Sequence, residues 1–126
     1  VIVLCSQRPD IGGGERMDKV VTIAERDARE AARRRSAADA IIAKLKAFAI
    51  SRGGRFLVFG SAAVDAMSSE SDLDVVVDFP SDREGEAVDF VEDLSRIHDL
   101  PVDCYLRSLA SERFLARIAN EAVTLS

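Results

Sequence analysis

The sequence has few of the residues that cross-link small proteins or carry them into membranes. Tryptophan is absent, and the two cysteines, Cys5 and Cys104, stand far apart. Cysteines so widely separated do not form the disulfide framework of a small secreted domain. The sequence also has no signal-peptide pattern and no apolar run of the roughly 20 residues that span a bilayer. These absences favour a protein of the reducing cytoplasm with no membrane partner.

Positive charge is scarce in the second half of the chain. Residues 65–103 hold thirteen acidic and two basic residues, whereas residues 17–64 hold five acidic and ten basic ones. The acidic segment would repel a nucleic-acid backbone, so a nucleic-acid partner is not expected. The single histidine, His98, falls near the C-terminus of a predicted helix, where we expect a surface position without a catalytic role.

The composition indicates one globular domain. The chain has 126 residues, of which 48% are hydrophobic and 31% are charged, enough to form a core of its own. Residues 1–16 differ from the rest because they lack periodicity and place three glycines shortly before Met17. They are either a flexible, non-native leader before a natural start at Met17, or an ordinary flexible N-terminus. Residues 17–126 form the predicted domain, with residues 17–54 as its N-terminal helical extension.

The stretch Phe56 to Pro80, FLVFGSAAVDAMSSESDLDVVVDFP, organises the rest of the prediction. Its first four residues are continuously apolar, which is typical of a strand buried on both faces. A Gly-Ser turn and a short polar helix are expected next. Residues 72–79 then form a second strand rich in β-branched residues and stopped by Pro80.

Two features of this stretch point to phosphate and metal chemistry. Asp72 and Asp74 share one face of the second strand, with Cα atoms about 7 Å apart, and a carboxylate pair of this kind suits a hard cation such as Mg²⁺. At the turn, Gly60 allows close approach of a ligand to the backbone, and Ser61 adds a hydroxyl donor at the start of the short helix. The sequence therefore predicts a phosphate cradle beside a metal-binding pair.

Before this stretch, residues from Val20 to Arg52 read as helix, with a break near Ser36 as one option. Apolar residues at helical spacing form the buried stripe, and Gly53 ends the helix. The run Arg33-Arg34-Arg35 has acidic neighbours and no aromatic ones. We assign this run to a solvated helix face rather than to an RNA-binding site.

After this stretch come a helix opened by a Ser81-x-x-Glu84 capping box, a strand from Pro101 to Leu106, a helix capped by Ser111, and a short edge strand from Ala122 to Leu125. Alternation along the third strand turns Cys104 toward the core and Asp103 toward the face of the Asp72 and Asp74 pair. Asp78 lies about 13 Å beyond Asp74 along its strand, too far for the same metal ion. The predicted fold class is α/β (α+β), a small mixed sheet packed with helices.

A buried strand, Gly60-Ser61, Asp72-x-Asp74 on a second strand and Asp103 on a third together resemble the nucleotidyltransferase superfamily of polymerase-β type. The likeness is to its minimal single-domain bacterial members and covers residues 37–126. It implies transfer of a nucleoside monophosphate, AMP from ATP, to a hydroxyl group, with Mg²⁺ or Mn²⁺ held by the three aspartates. It also implies that Asp103 helps to remove the proton of the attacking hydroxyl.

For nucleotide binding, the resemblance assigns Gly60 and Ser61 to the β- and γ-phosphates of the NTP and adds Ser71. The sequence departs from the usual Gly-Ser-x-Ala-Arg-Gly motif because Val64 and Asp65 replace its arginine and second glycine. This change is expected to weaken nucleotide binding.

Minimal members of this superfamily are often paired with a small helical HEPN ribonuclease toxin, which they adenylylate as antitoxins. The resemblance therefore implies a HEPN-type partner. Two alternatives stay open: an antitoxin that neutralises its partner by contact alone, and a transferase for a small molecule that is completed by homo-oligomerisation.

Overall fold

We describe residues 22–126 of a computed structural model of the protein. The predicted leader, residues 1–16, lies outside the described residues. In the described part, the helices are α1 (Ile23–Arg52), α2 (Ser81–His98) and α3 (Glu112–Ile118), and the strands are β1 (Arg55–Phe59), β2 (Leu73–Asp78), β3 (Val102–Leu106) and β4 (Val123–Leu125). No helix in this part is long and apolar enough to cross a membrane.

Helix α1 is a single 30-residue helix, so the break considered near Ser36 is wrong. The helix holds neither glycine nor proline between its ends, and its central residues are mostly alanine and arginine, which are strong helix formers. Thr22 and Glu25 form a reciprocal capping box at its start. Gly53 ends it in a left-handed conformation with φ of 78°.

The four strands form one mixed sheet in the order β3-β2-β1-β4. Strand β1 pairs antiparallel with both β2 and β4, whereas β2 and β3 are parallel. A parallel pair needs a crossover connection, and α2 supplies it. The central place of β1 explains why its sequence is almost continuously apolar, because both of its faces are covered.

Helices α1 and α2 cover one face of the sheet and enclose the main core. The largest fully buried side chains of this core are Ile41, Leu45, Phe56, Val58, Leu73, Val75, Val77, Val91, Leu100 and Val102. Cys104 packs against this core, and burial raises the pKa of its thiol to about 11, as expected of a small hydrophobic residue. The opposite face carries a smaller cluster of Phe59, Val76 and Ile118, covered by α3. The predicted α+β fold is confirmed.

The start of α2 differs from the prediction. Pro80 is the N-cap residue and no side chain caps the helix, so the Ser81-x-x-Glu84 capping box is wrong. Ser81 is already the first helical residue, one position too late for its hydroxyl to act as the N-cap acceptor. The Glu84 carboxylate instead accepts a hydrogen bond of 2.8 Å from the Ser108 hydroxyl, in the turn after β3.

Candidate active site

The fold brings the three predicted aspartates to one end of the parallel strand pair. Asp74 on β2 stands directly opposite Asp103 on β3, and Asp72 lies one residue before β2 begins. Parallel pairing in this register places the Asp74 and Asp103 side chains on the same face of the sheet. The face is the one covered further along by α3, so the aspartates lie beside the smaller cluster rather than in the main core.

The electrostatics of the three carboxylates reflect their proximity. Burial, followed by repulsion from Asp103 and Asp72, raises the pKa of Asp74 to about 6. Burial and the charge of Asp103 also raise the pKa of Asp72, against the opposing effect of Arg34. With a pKa of about 6, the Asp74 carboxylate is ionised at neutral pH in spite of this repulsion. A bound cation would relieve this repulsion.

The donor set fits a magnesium ion that is completed by a substrate. Within residues 22–126, no group of three His, Cys, Asp or Glu side chains is already arranged to hold a metal ion. Mg²⁺ does not require such a cage, because it is commonly bound by one or two carboxylates together with waters and substrate phosphates. Asp74 and Asp103 can supply that carboxylate pair, with Asp72 beside them.

Gly60 forms the turn that faces these carboxylates. Its φ of 79° lies in the left-handed region, and a Cβ atom added there would stand 2.3 Å from Oδ2 of Asp74. A side chain at this position would be strained at this φ and would push the Asp74 carboxylate aside, so glycine is favoured on both conformational and steric grounds. The short polar helix expected after this turn is absent from the structure, because residues Gly60–Ala62 form only one 3₁₀ turn. The predicted phosphate cradle thus has no helix N-terminus behind it.

Glu121 is a site residue that the sequence did not reveal. Its carboxylate accepts a hydrogen bond of 3.2 Å from the backbone N–H of Gly60, the group predicted to hold phosphate. Its charge also contributes to the raised pKa of Asp74. The signal lies in strand register: β1 and β4 pair Val58 with Val123, and extending that pairing by two residues places Gly60 opposite Glu121.

The two predicted serines have different surroundings. Ser61 lies half-buried in the 3₁₀ turn, and its carbonyl oxygen accepts a hydrogen bond of 2.8 Å from the N–H of Ala66. Ser71 lies just before Asp72, where its hydroxyl accepts a hydrogen bond of 2.8 Å from the N–H of Ser68. The Ser71 hydroxyl therefore holds the loop that leads into β2.

Arg34 and Arg35 of α1 reach the same end of the sheet. The predicted solvated helix face for Arg33-Arg34-Arg35 is therefore wrong for these two residues. Arg34 Nη1 donates 2.8 Å to the carbonyl of Ser71 and lies 3.5 Å from Oδ1 of Asp72. Arg35 Nη1 donates to the carbonyl of Ala62 and to Oδ1 of Asp65. The long aliphatic stems let these guanidinium groups extend from one face of the sheet to its end.

Arg33 points elsewhere on the same helix. Its Nη1 and Nη2 atoms donate to the backbone carbonyls of His98 and Asp99 at 3.3 and 3.0 Å. These carbonyls lie at the C-terminal end of α2, where backbone carbonyl groups have no N–H partner within the helix. Arg33 therefore joins two helices, and it is the member of the run that takes no part in the site.

Aromatic side chains border the carboxylates on the α3 side. Tyr105 stands two residues after Asp103 on β3, is 38% exposed, and stacks on Phe114 with ring centroids 5.1 Å apart. Burial and the charges of Asp74 and Asp103 raise the pKa of its hydroxyl. Asp78, at the far end of β2, forms an ion pair of 2.6 Å with Arg55. Asp78 is therefore a strand-end residue separate from the site.

Comparison with known proteins gives one match. A family model described as a nucleotidyltransferase domain matches residues 39–125, more than half of the chain. The matched span includes Gly60, the three aspartates and Glu121, and it begins after Arg34 and Arg35. Neither the search of curated proteins nor that of solved structures returned a match.

Proposed function

The chain belongs to the family of nucleotidyltransferase domains, and from this premise we propose that it transfers AMP from ATP to a hydroxyl group of a partner protein in a reaction that requires a divalent metal ion. Family membership supports nucleotidyl transfer in general. AMP as the transferred group, a divalent metal ion and a protein acceptor are the further parts of the proposal.

The observation that carries the proposal is the meeting of Asp74 and Asp103 across parallel strands, beside Asp72 and the Gly60 turn. Like charges so close together are costly in a structural role, since nothing in a fold requires them. They are useful where positive charge must be bound next to a phosphate. The raised pKa of Asp74 is the electrostatic mark of such a site.

In the proposed mechanism, Asp72, Asp74 and Asp103 would hold Mg²⁺ or Mn²⁺, which when bound neutralises charge on the phosphate oxygens. Asp103 is exposed whereas Asp74 is half-buried, so Asp103 is the carboxylate that an acceptor reaches first. Asp103 takes the proton of the acceptor hydroxyl. The hydroxyl oxygen then bonds to the α-phosphorus, the bond from that phosphorus to the α,β-bridging oxygen breaks, and pyrophosphate leaves.

The acceptor we propose is a hydroxyl of a small helical HEPN-type toxin, which makes this protein its antitoxin. The carboxylates and the exposed face of Tyr105 lie at the open end of the sheet, where a second protein has access. The alternative functions are neutralisation of the partner by contact alone and transfer to a small molecule by a homo-oligomer. The replacement of the motif arginine by Val64 and the occupation of the Gly60 N–H by Glu121 favour contact alone.

Mass spectrometry of the partner tests the proposal. The partner is incubated with ATP, Mg²⁺ and either wild type, Asp74→Asn or Asp78→Asn. Wild type and Asp78→Asn are expected to add the mass of one AMP. Asp74→Asn should lose the reaction by about a hundredfold or more, because it removes charge stabilisation from the transferring group, and should still form the complex.

Asp78→Asn is the matched control because it removes one carboxylate from the same strand, at the end paired with Arg55. A wild-type protein that adds no mass, together with equal protection of cells by wild type and Asp74→Asn, would overturn the transferase proposal in favour of contact alone. Modification of a small molecule but not of the partner would favour the third function.

A further inference from the structure

The arginine that the family motif places after Gly-Ser has no counterpart in the turn. Val64 occupies its position and is 52% exposed, with no charge to offer. Asp65 follows with φ of 57°, the left-handed conformation that a glycine adopts easily. Asp65 thus adopts a left-handed conformation where the motif has a glycine, and Val64 brings no cation.

A triphosphate bound at this turn would face strong repulsion. Asp72, Asp74 and Asp103 converge there, Glu121 binds the Gly60 N–H, and Asp65 adds a further carboxylate. A triphosphate carries about four negative charges, and arginine is well suited to offset them because its guanidinium binds phosphate oxygens in pairs. Positive charge at this end of the sheet comes from α1 through Arg34 and Arg35.

The two arginines differ in what they can still bind. Arg35 is committed to the fold: Nη2 donates 2.6 Å to Asp39, and Nη1 is shared between Ala62 and Asp65. The hydrogen bonds that Arg34 makes within residues 22–126 use Nε, to Glu30 at 2.7 Å, and Nη1, to Ser71. Within the same residues, Nη2 of Arg34 has no hydrogen-bond acceptor.

Arg34 is also held in position before any ligand arrives. Its side chain is 19% exposed, and Glu30 anchors its Nε one helical turn earlier on α1. The hydrogen bonds from Arg33 and Arg34 lower the pKa of Glu30, which keeps that anchor ionised. A guanidinium fixed in this way loses little side-chain entropy when it binds an anion.

We propose that Arg34 of α1 supplies the guanidinium that contacts the triphosphate of the nucleotide, in place of the motif arginine lost at Val64. The inference rests on the proposed function and extends it to a residue outside the matched family span, residues 39–125. Arg34 then leaves or shares Asp72 when the nucleotide binds, so Asp72 is free to hold metal when phosphate is present. A charged side chain on the N-terminal helix thus becomes part of the nucleotide site.

Calorimetric titration with a non-hydrolysable ATP analogue and with AMP, both in the presence of Mg²⁺, tests this assignment. Arg34→Gln is expected to weaken binding of the ATP analogue by about tenfold or more, because it removes a charge-assisted hydrogen bond. Binding of AMP should be weakened much less. The matched control is Arg29→Gln, which removes the same charge from an exposed position of α1 and should leave both affinities unchanged. Arg34→Lys should give an intermediate affinity.

A rescue variant separates a phosphate contact from a structural role. Val64→Arg with Asp65→Gly restores the family motif and should recover the affinity that Arg34→Gln loses, since the lost contact is replaced from the turn. If Arg34→Gln does not fold, Arg34→Lys compared with Arg29→Lys carries the test. Equal losses of affinity for the ATP analogue and AMP, or no loss for either, would overturn the role of Arg34. The proposed nucleotidyl transfer would then still hold if the wild-type protein modifies its partner. Absence of nucleotide binding by wild type would overturn the proposed function, and this inference with it.

Discussion

At the residue scale, the site is governed by close approach around Gly60. The Asp74 carboxylate lies against its Cα, and the Glu121 carboxylate accepts its N–H, so two acidic groups meet at one small residue. Alternation along the strands predicted that the three aspartates share a face, which strand pairing confirms, whereas the roles of these aspartates and of Gly60 remain predictions. The sequence did not predict Glu121 or Arg34. Their positions depend on strand register and helix docking, which local spacing does not encode.

Asp74→Asn should stabilise the metal-free protein at pH 7.5 and have little effect near pH 4. The folded-state pKa of Asp74, about 6, lies above its ordinary value of 3.8. Protonated Asp74 therefore makes its full contribution to the free energy of unfolding below pH 3.8. That contribution is lost as the pH rises through about 6. An uncharged asparagine avoids that loss. Thermal melts of both proteins across this range should show the melting temperatures diverge by a few degrees as the pH rises.

The control for this experiment is Asp78→Asn, which removes a carboxylate that is ion-paired with Arg55 rather than repelled. It should not become more stable than wild type at pH 7.5. A melting temperature for Asp74→Asn that is the same as wild type at every pH would show that the three aspartates do not repel one another in solution.

Glu121→Ala should strengthen binding of ATP. The substitution frees the Gly60 N–H and removes one negative charge beside the phosphates, so we expect a severalfold gain in affinity by calorimetry. Glu112→Ala, which removes an exposed glutamate from the first turn of α3, is the charge-matched control. A fall in affinity would instead mean that Glu121 helps to hold the metal.

At the scale of elements, most helices and strands could be predicted because their apolar periodicity matches the sheet and helix faces they bury. The errors fell at the ends and in the loops. Ser36 suggested a break in α1, yet the helix continues because its neighbours favour helix and because Arg33, Arg34 and Arg35, directly before that point, all bind other parts of the fold. The short helix after Gly60 was wrong since the left-handed residues Gly60 and Asp65 confine the chain to a tight turn.

Continuity of α1 can be tested at Ser36 itself. Ser36→Pro should lower the free energy of unfolding by about 3 kcal/mol or more, because proline removes a backbone hydrogen bond and clashes with the preceding turn. Ser36→Ala should change it by less than about 0.5 kcal/mol, since the side chain is exposed. Denaturant unfolding of the three proteins gives both values. Tolerance of proline would restore the two-helix description.

At the scale of the whole molecule, charge is divided between two parts of the chain that the fold brings together. The basic residues 17–64 include α1, and the acidic residues 65–103 include β2, α2 and all three aspartates of the candidate site. Within residues 22–126, four ion pairs join the two parts: Arg34 with Asp72 and Arg35 with Asp65 near the aspartates, and Arg52 with Glu86 and Arg55 with Asp78 elsewhere. The carboxylate excess that is left over favours cations over bare anions near the aspartates.

This charge balance predicts cooperative binding of metal and nucleotide. Because no three acidic or metal-ligating side chains in residues 22–126 are already arranged around one ion, Mg²⁺ alone should raise the melting temperature little. ATP alone should bind weakly, since it meets unscreened carboxylates. Together, each supplies what the other lacks: phosphate oxygens complete the metal's ligands, and the metal neutralises the aspartates. The shift with both should exceed the sum of the separate shifts, as linkage requires when one ligand tightens the other.

Thermal melts at constant ionic strength measure this cooperativity, with NaCl adjusted so that general screening is equal in every sample. Asp72→Asn with Asp74→Asn should abolish the combined shift, whereas Asp78→Asn should retain it. Shifts that are merely additive in wild type would mean that metal and nucleotide bind at separate places. In that case the aspartates, however close together, would not be the point at which a phosphate is held for transfer.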